Sequence, residues 1–189
     1  MNMIEELLNI KEYCIPGVIG RLKWHLSECG RPCVGGVYAF WWIGSKKSFL
    51  QEIQNNELHY SGPSKRKITL KLNDSTVNSA KNGYVPLYIG KTSTPIAKRV
   101  GKHLMLGTER TISKEEAYGI ANRKNTSCQV RDRLDRLFPD IEDTREIAIN
   151  NIGLSYLKLE GDNNFSQRFF LEDLAIGTLQ PIFNVDSER

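Results

Sequence analysis

Three segments of the chain have the apolar patterns of β-strands. Residues 34–43 are almost continuously apolar, rich in β-branched and aromatic side chains and bounded by glycines, which predicts a central strand covered on both faces. Residues 86–90, with Leu87-Tyr88-Ile89, predict a second strand, and the alternation over residues 152–159 predicts a third. We therefore expect an α/β domain of the α+β type, in which a mainly antiparallel three-stranded sheet is flanked by helices.

The chain divides into an N-terminal extension and one larger domain. Residues 3–29 have apolar positions at helical spacing and predict one or two helices, broken at Pro16-Gly17. We assign residues 1–33 to this helical extension and residues 34–189 to the domain that holds the sheet. Between the first two strands lie roughly forty residues, 45–84, which is too long for a hairpin loop and indicates an insertion.

The insertion has weaker patterns than the rest of the domain. Phe49 to Asn55 could form a helical turn or two, and Lys67 to Leu72 a short strand, with loop elsewhere. Its cations Lys65, Arg66 and Lys67 are candidate contacts to nucleic acid, and its tethers to the first two strands predict that it emerges beside the active site. A solvated loop with a few charges is an equally common explanation of such a segment.

Helices are predicted on either side of the third strand. Thr94 is expected to cap a helix whose first residue is Pro95. A second helix is predicted over Thr126–Phe138, where alternating arginines and aspartates indicate a salt-bridged, solvated face. A third is predicted over Asn164–Leu179. Its expected buried side comprises Phe169, Phe170, Leu174, Ala175 and Ile176.

Composition limits the class of protein. The 189 residues are 40% hydrophobic and 25% charged, as in ordinary globular domains. No apolar run approaches the ~20 residues of a membrane span, and the acidic N-terminus is unlike a secretory signal, so a cytoplasmic protein without a membrane partner is expected.

Four cysteines, Cys14, Cys29, Cys33 and Cys128, are expected to be reduced in that compartment. His25, Cys29 and Cys33 are spaced as a helix would align zinc ligands. Pro32 would interrupt such a helix, however, and buried structural thiols are the alternative that we favour.

Charge and candidate chemistry are concentrated between Pro86 and Arg110. Gly90 is expected to end the second strand in a turn that contains Lys91. On the following helix Arg99 and His103 lie four residues apart and share a face. The cations of this stretch are Lys91, Lys98, Arg99, Lys102 and Arg110, against Glu109 alone, while the whole chain has a net charge of +4. The stretch therefore suits an anionic substrate and proton transfer.

The candidate motifs follow one another along the chain as Gly36-Val37-Tyr38, Tyr88-Ile89-Gly90, Arg99, His103, Glu172 and Asn184. Their order resembles that of the GIY-YIG nuclease family, in particular its restriction-endonuclease branch. Val37 stands where the family has isoleucine, and the 45–84 insertion separates the two tyrosine motifs more widely than is usual there. The resemblance covers roughly residues 34–185 and implies the GIY-YIG fold for that part of the chain.

The resemblance also implies catalytic roles. Tyr38 would be the general base toward the attacking water, assisted by Tyr88 and His103, and Asn184 would be a supporting hydrogen bonder. From the residues themselves, Arg99 can clamp phosphate oxygens bidentately, and Glu172 suits Mg²⁺, with Mn²⁺ as a substitute. The cations around Tyr38 are expected to lower its pKa, because a tyrosine of ordinary pKa is a poor base at neutral pH.

These features predict a metal-dependent endonuclease that hydrolyses DNA phosphodiester bonds, of restriction or phage-defence type. Two alternatives stay open: a nucleic-acid-binding protein on a non-catalytic nuclease scaffold, and a repair or recombination nuclease acting on branched DNA. Because one active site cuts one strand, a homodimer is expected at least on DNA. No small-molecule cofactor is expected. Lys91, Lys98 and Lys102, together with Lys65, Arg66 and Lys67, are the predicted nucleic-acid contacts.

Overall fold

A three-stranded antiparallel sheet carries the rest of the domain. In the computed structural model, which describes Leu7 and residues 34–61, 67–80, 83–119 and 129–184, three of the strands form this sheet. The central strand β1 (Gly36–Ser45) pairs on one side with β4 (Tyr84–Thr92) and on the other with β5 (Ile152–Lys158). The predicted α+β class and the three antiparallel strands are confirmed.

Helices and a second, two-stranded sheet surround these strands. No helix in the described ranges is long and apolar enough to cross a membrane. The remaining elements are α1 (Lys46–Glu52), the hairpin strands β2 (Glu57–Ser61) and β3 (Lys67–Lys71), α2 (Ile96–Leu104), α3 (Lys114–Ala117), α4 (Gln129–Leu137), α5 (Thr144–Asn151) and α6 (Phe165–Leu179), which follows a 3-10 turn at Asp162–Asn164.

Strand β1 is buried on both faces because successive side chains point to opposite sides of the sheet. Tyr38, Phe40 and Trp42 pack into one apolar cluster with residues of α1, α2 and α4. Val37, Ala39 and Trp41 pack into the other, which α6 and Leu7 cover. The indole of Trp41 donates a hydrogen bond of 2.8 Å to Ser155 Oγ, which satisfies its one buried polar group. A near-continuous apolar sequence is what such two-sided burial requires.

The charged face of α4 is buried, so the predicted solvated face is wrong. Arg131 and Asp135 have no exposed surface. Arg131 donates to the carbonyl oxygens of Leu104 at 2.9 Å and Glu109 at 2.7 Å, and Asp135 accepts from the backbone N–H of Thr111 at 2.7 Å. Buried backbone groups need partners. Arg131 and Asp135 thus provide hydrogen-bond partners for backbone groups of the irregular segment between α2 and α3.

The buried face of helix α6 also differs from the predicted one. The aromatic residues Phe169 and Phe170 are 42% and 71% exposed, and Leu174 is 56% exposed. Ala175 is buried as expected. The buried side instead comprises Arg168, Leu171, Glu172, Ala175 and Leu179, which is a regular helical stripe. Two charged residues belong to this stripe because both have partners there, as the site below shows.

The second tyrosine motif does not end in the predicted turn. Strand β4 continues through Gly90 and Lys91 to Thr92. A Cβ on Gly90 would lie 2.7 Å from Tyr38 Oη and 2.8 Å from Tyr38 Cζ, so the glycine makes room for a tyrosine ring. The following helix begins one residue later than predicted, with Pro95 rather than Thr94 at the N-cap and no side-chain cap.

The described parts of the 45–84 segment belong to the folded core. The predicted strand at 67–72 is confirmed, whereas its partner β2 was not predicted. Leu58, Leu72 and Val77 are at most 2% exposed, so these parts are not a solvated loop. The segment leaves β1 at Ser45, which pairs with Tyr84, while Val37 at the other end pairs with Lys91. The segment was expected to emerge beside the active site; its ends at Ser45 and Tyr84 instead lie at the opposite end of the β1–β4 pair from Lys91.

Several predictions fall outside the described residues. They are the helices of the N-terminal extension beyond Leu7, the zinc alternative at His25, Cys29 and Cys33, the thiols Cys14 and Cys128, and the contacts Lys65 and Arg66. For Lys67, which begins β3, only the backbone is described. Leu7 itself is helical and 1% exposed.

Candidate active site

The candidate site forms where β1, β4 and α2 meet. In the β1–β4 register Tyr38 lies opposite Gly90, and Tyr88 lies two residues before Gly90 on the same face of β4. Helix α2 crosses this face with Ile96, Val100 and Leu104 buried against the sheet. Residues about one turn apart share a helix face, so the same packing places His103 toward the tyrosines.

Tyr38 and His103 form a buried hydrogen-bonded pair. Both are 0% exposed, and Tyr38 Oη lies 3.0 Å from His103 Nε2. The Tyr88 ring lies 4.9 Å from the His103 ring and 6.4 Å from that of Tyr38, measured between centroids. A neutral imidazole whose proton is on Nδ1 accepts a hydrogen bond from the Tyr38 hydroxyl at Nε2. The structure thus brings together the three ring residues that the sequence singled out.

Burial controls the protonation of this pair. Burial raises the pKa of the Tyr38 hydroxyl above its usual range and Tyr88 raises it further, whereas a hydrogen bond from Arg99 and the charge of Arg99 lower it by less. Burial, followed by the charge of Arg99, lowers the pKa of His103 to about 3. The predicted lowering of the Tyr38 pKa by its cations is therefore wrong in its net direction, although Arg99 acts in the expected sense. Near neutral pH both side chains are uncharged.

Glu172 of α6 forms an ion pair with Lys91 Nζ, and its side chain is 8% exposed. The same Lys91 ammonium lies 4.5 Å from the centre of the Phe169 ring, at cation–π distance. In the β1–β4 register Lys91 is opposite Val37, so it and Glu172 lie on the α6 side of the sheet, behind the Tyr38 face. Glu172 is near enough to Tyr38 for its charge to raise the Tyr38 pKa slightly.

A cavity of about 390 Å³ lies beyond the end of β4, between α2 and α6. Five of its nine described lining residues are cations and none is acidic, so the cavity suits an anion such as a phosphodiester. The lining residues are Lys91, Thr92, Ser93, Thr94, Lys98, Arg99, Lys102, Phe165 and Arg168. Lys91, Lys98, Arg99 and Lys102 were predicted, and Arg99 links the cavity to the tyrosine–histidine cluster behind it.

Asn184 supports the site through the backbone. Its amide accepts from the N–H of Ile89 at 2.7 Å and donates to the carbonyl oxygen of Ile89 at 2.8 Å. Before it, Ile182 and Phe183 donate their N–H groups to the carbonyls of Pro86 and Leu87. Asn184 thus holds β4 at Ile89, the middle residue of the second tyrosine motif, and the catalytic supporting role that the resemblance implies stays a prediction.

Arg168 and Phe165 were not predicted as site residues. Arg168 is 4% exposed and donates to the carbonyl oxygens of Leu159 at 2.7 Å and Gly161 at 2.9 Å. It precedes Glu172 by four residues, and that spacing on one helix face was a signal that could have found it. Arg110, counted among the cations of the basic stretch, instead donates to backbone carbonyls at Phe138, Pro139 and Asp135 and has a structural role.

Comparison with known proteins adds no further assignment: no protein-family model, no curated protein and no solved structure matches the chain.

Proposed function

We propose that the chain is a metal-dependent endonuclease that hydrolyses DNA phosphodiester bonds, as the resemblance to GIY-YIG nucleases implies, with restriction or phage defence as its setting. One observation carries the proposal. A cavity lined by five cations adjoins, through Arg99, a buried cluster of Tyr38, Tyr88 and His103. Anion binding and proton transfer, the two requirements of phosphodiester hydrolysis, thereby meet at one residue.

In this proposal Arg99 clamps the scissile phosphate in the cavity. Its planar guanidinium can bond two phosphate oxygens at once and can hold the charge that develops in the transition state. Lys98 and Lys102 are on the same helix and add sequence-independent attraction for the phosphate backbone. Arg168, fixed by the Leu159 and Gly161 carbonyls, adds a rigid positive charge on the α6 side.

Tyr38 and His103 act as a proton relay. A fully buried tyrosine with a raised pKa is protonated before the reaction, so Tyr38 does not act as a preformed tyrosinate. It can instead pass its proton to His103 as it accepts one from water. Burial is the main cause of the low pKa of His103, and the charge of Arg99 is the second. Phosphate bound to Arg99 would offset this second cause, so the histidine becomes a better proton acceptor when substrate is present.

The metal requirement fits Glu172. Mg²⁺ binds through one or two protein carboxylates and keeps several waters, so a single glutamate close to a phosphate cavity is a sufficient protein ligand. The Lys91 ammonium pairs with this carboxylate. A bound Mg²⁺ would have to share the carboxylate with Lys91 or displace the ammonium from it. Bound there, Mg²⁺ would supply positive charge to the phosphate and its leaving oxygen.

The test is incubation of the purified protein with supercoiled plasmid, methylated or unmethylated, with Mg²⁺, Mn²⁺ or EDTA, and with an RNA transcript as a parallel substrate. We expect metal-dependent nicks or discrete DNA fragments that Tyr38→Phe and Glu172→Gln abolish. Tyr118→Phe is the matched control, because that tyrosine is 44% exposed and bonds Asp140 away from the cavity. Wild-type protein that cuts no nucleic acid with either metal would refute the proposal.

A non-catalytic DNA-binding protein is the second candidate, and two observations favour it. Tyr38 has no exposed surface, and Lys91 already neutralises Glu172. This alternative predicts tight DNA binding in EDTA, lost in Lys98→Ala and Lys102→Ala, with no cleavage under any metal condition.

A further inference from the structure

The exposed face of α6 carries aromatic side chains next to the cationic cavity. Phe165 is 64% exposed and lines that cavity together with Lys98, Lys102 and Arg168. Phe170 is 71% exposed but does not line it. Since five residues turn a helix by about 140° beyond a full turn, the two rings face different directions. Phe165 is therefore an exposed aromatic ring beside the cations of the cavity, and Phe170 is a similar exposed ring outside the cavity.

We propose that the cavity accepts a nucleotide whose base is unstacked from its strand, and that Phe165 is the surface on which this base stacks. The inference rests on the proposed nucleic-acid substrate and narrows it to a class: a phosphodiester flanked by a base in a single strand, a bulge, a mismatch or a flipped position.

The argument begins from the covalent structure of nucleic acid. A phosphate held by Lys98, Lys102 and Arg168 keeps its own sugar and base within a nucleotide's reach of the cavity rim. In an intact duplex both faces of that base are covered by its neighbours, so a phenyl ring can contact only groove edges or sugars. An unstacked base has a free face, and aromatic side chains beside cationic grooves bind such faces with little sequence preference.

The neighbouring aromatic is already engaged. Phe169 lies one helical turn after Phe165 and contacts the Lys91 ammonium at cation–π distance, which holds that lysine at the cavity wall. Of this pair, Phe165 is thus the ring that lines the cavity, and it has the larger exposed area. Burial of that area against a base would also remove apolar surface from water.

The experiment uses the full chain in EDTA, so that binding is measured without cleavage. The probes are four oligonucleotides that carry 2-aminopurine: a perfect duplex, a single strand, a duplex with a one-base bulge and a duplex with a mismatch. Phe165→Ala is compared with Phe170→Ala, its matched control, and with Phe165→Trp, which keeps an aromatic face. Circular dichroism and thermal melting verify that all variants fold, as expected from the exposure of both rings.

We expect wild-type protein to quench 2-aminopurine in the bulged and single-stranded probes. Phe165→Ala should weaken binding of these probes by about 5- to 150-fold, the range of aromatic–base stacking. It should also lose the quenching, while Phe170→Ala leaves both unchanged and Phe165→Trp retains them. For the perfect duplex, Phe165→Ala and wild type should bind alike.

Three results would overturn the inference: equal binding by Phe165→Ala and Phe170→Ala, equal loss on the perfect duplex and on the bulged probe, or wild-type binding without quenching. If the first result takes the form of an equal loss in both variants, the whole exposed face of α6 contacts the nucleic acid. If wild type cuts plasmid DNA while any of these results is found, only the stacking inference fails. If it neither binds nor cuts nucleic acid, the proposed function fails with it.

Discussion

Gly90→Ala tests whether the glycine of the second tyrosine motif is required by packing. The added methyl group would lie 2.7 Å from Tyr38 Oη, 2.8 Å from Tyr38 Cζ and 2.8 Å from Tyr88 Cε1. These separations are far below van der Waals contact, and Tyr38 is fully buried, so its ring cannot swing away into solvent. Either β4 moves away from β1 or the Tyr38–His103 hydrogen bond of 3.0 Å is lost.

The magnitude follows from overpacking. Extra methyl groups in a well-packed core typically cost about 1–3 kcal/mol in the free energy of unfolding. Any glycine-to-alanine change also stiffens the unfolded chain, which favours the variant by about 0.4–1 kcal/mol. Gly107→Ala carries this second effect alone, because a Cβ there would have no neighbour within 4 Å. The two variants should therefore differ by about 1–3 kcal/mol, or by roughly 2–12 °C in melting temperature for a domain of this size.

Urea unfolding of wild type, Gly90→Ala and Gly107→Ala measures this difference. Plasmid cleavage by the same preparations measures the effect on chemistry. If Gly90→Ala folds, it should also lose activity through displacement of Tyr38, whereas Gly107→Ala should keep it. Equal unfolding midpoints for the two variants would refute the packing explanation, and the glycine would then need another cause.

Four further predictions concern charge, titration and assembly. Glu172→Gln should abolish cleavage and leave DNA affinity equal or higher in filter binding, since a carboxylate repels phosphate until a cation neutralises it; activity within a few-fold of wild type would contradict its role as metal ligand. Arg99→Ala should lower turnover by roughly 10²–10³, while Lys102→Ala should mainly flatten the salt dependence of binding, and like behaviour would make Arg99 an anchor only. Burial lowers the pKa of His103 to about 3 in the folded state, against about 6.5 in the unfolded chain. Between these two pH values only the unfolded state binds this proton, so the free energy of unfolding should fall as the pH falls from about 6.5 to about 3. The slope should be up to about 1.4 kcal/mol per pH unit. His103→Gln should be flatter than wild type over this window in urea titrations, and parallel curves would show that the buried imidazole is not responsible. A double-strand break should need either two protomers on DNA, which is the expected arrangement, or sequential nicking; linear product from a monomer without a nicked intermediate would rule out the dimer.

The sheet could be predicted from the sequence because two-sided burial leaves a continuous apolar run in β1, and no other segment has one of comparable length. The candidate site followed from motif order, and Tyr38, Tyr88, Arg99 and His103 do lie together. That placement is structural, and their catalytic roles stay predictions.

Residue types alone could not predict which charged side chains are buried. Alternating arginines and aspartates on α4 look the same whether their partners are water or the carbonyls of a distant loop, and only the tertiary contacts distinguish the two. The face of α6 was misjudged for the same reason. Arg168 and Glu172 find buried partners there, so the inward stripe includes them and the phenylalanines turn outward. The sequence of β2 has no clear strand pattern of its own, so β2 was not predicted. It is a strand because it pairs with β3.

The β1–β4 pair keeps its two ends independent. Tyr38 and Ser45 are seven residues apart, up to about 23 Å along the strand, and the register between β1 and β4 shifts twice over this length, after Phe40 and after Trp42. The segment that joins Ser45 to Tyr84 can therefore vary in length at its tip, between β2 and β3, without disturbing the geometry at Lys91. In evolutionary terms, modules added at the far end would leave the pairing around Tyr38 and Lys91 in place. In engineering terms, new chain termini or a reporter domain placed between residues 62 and 66 should leave the site assembled.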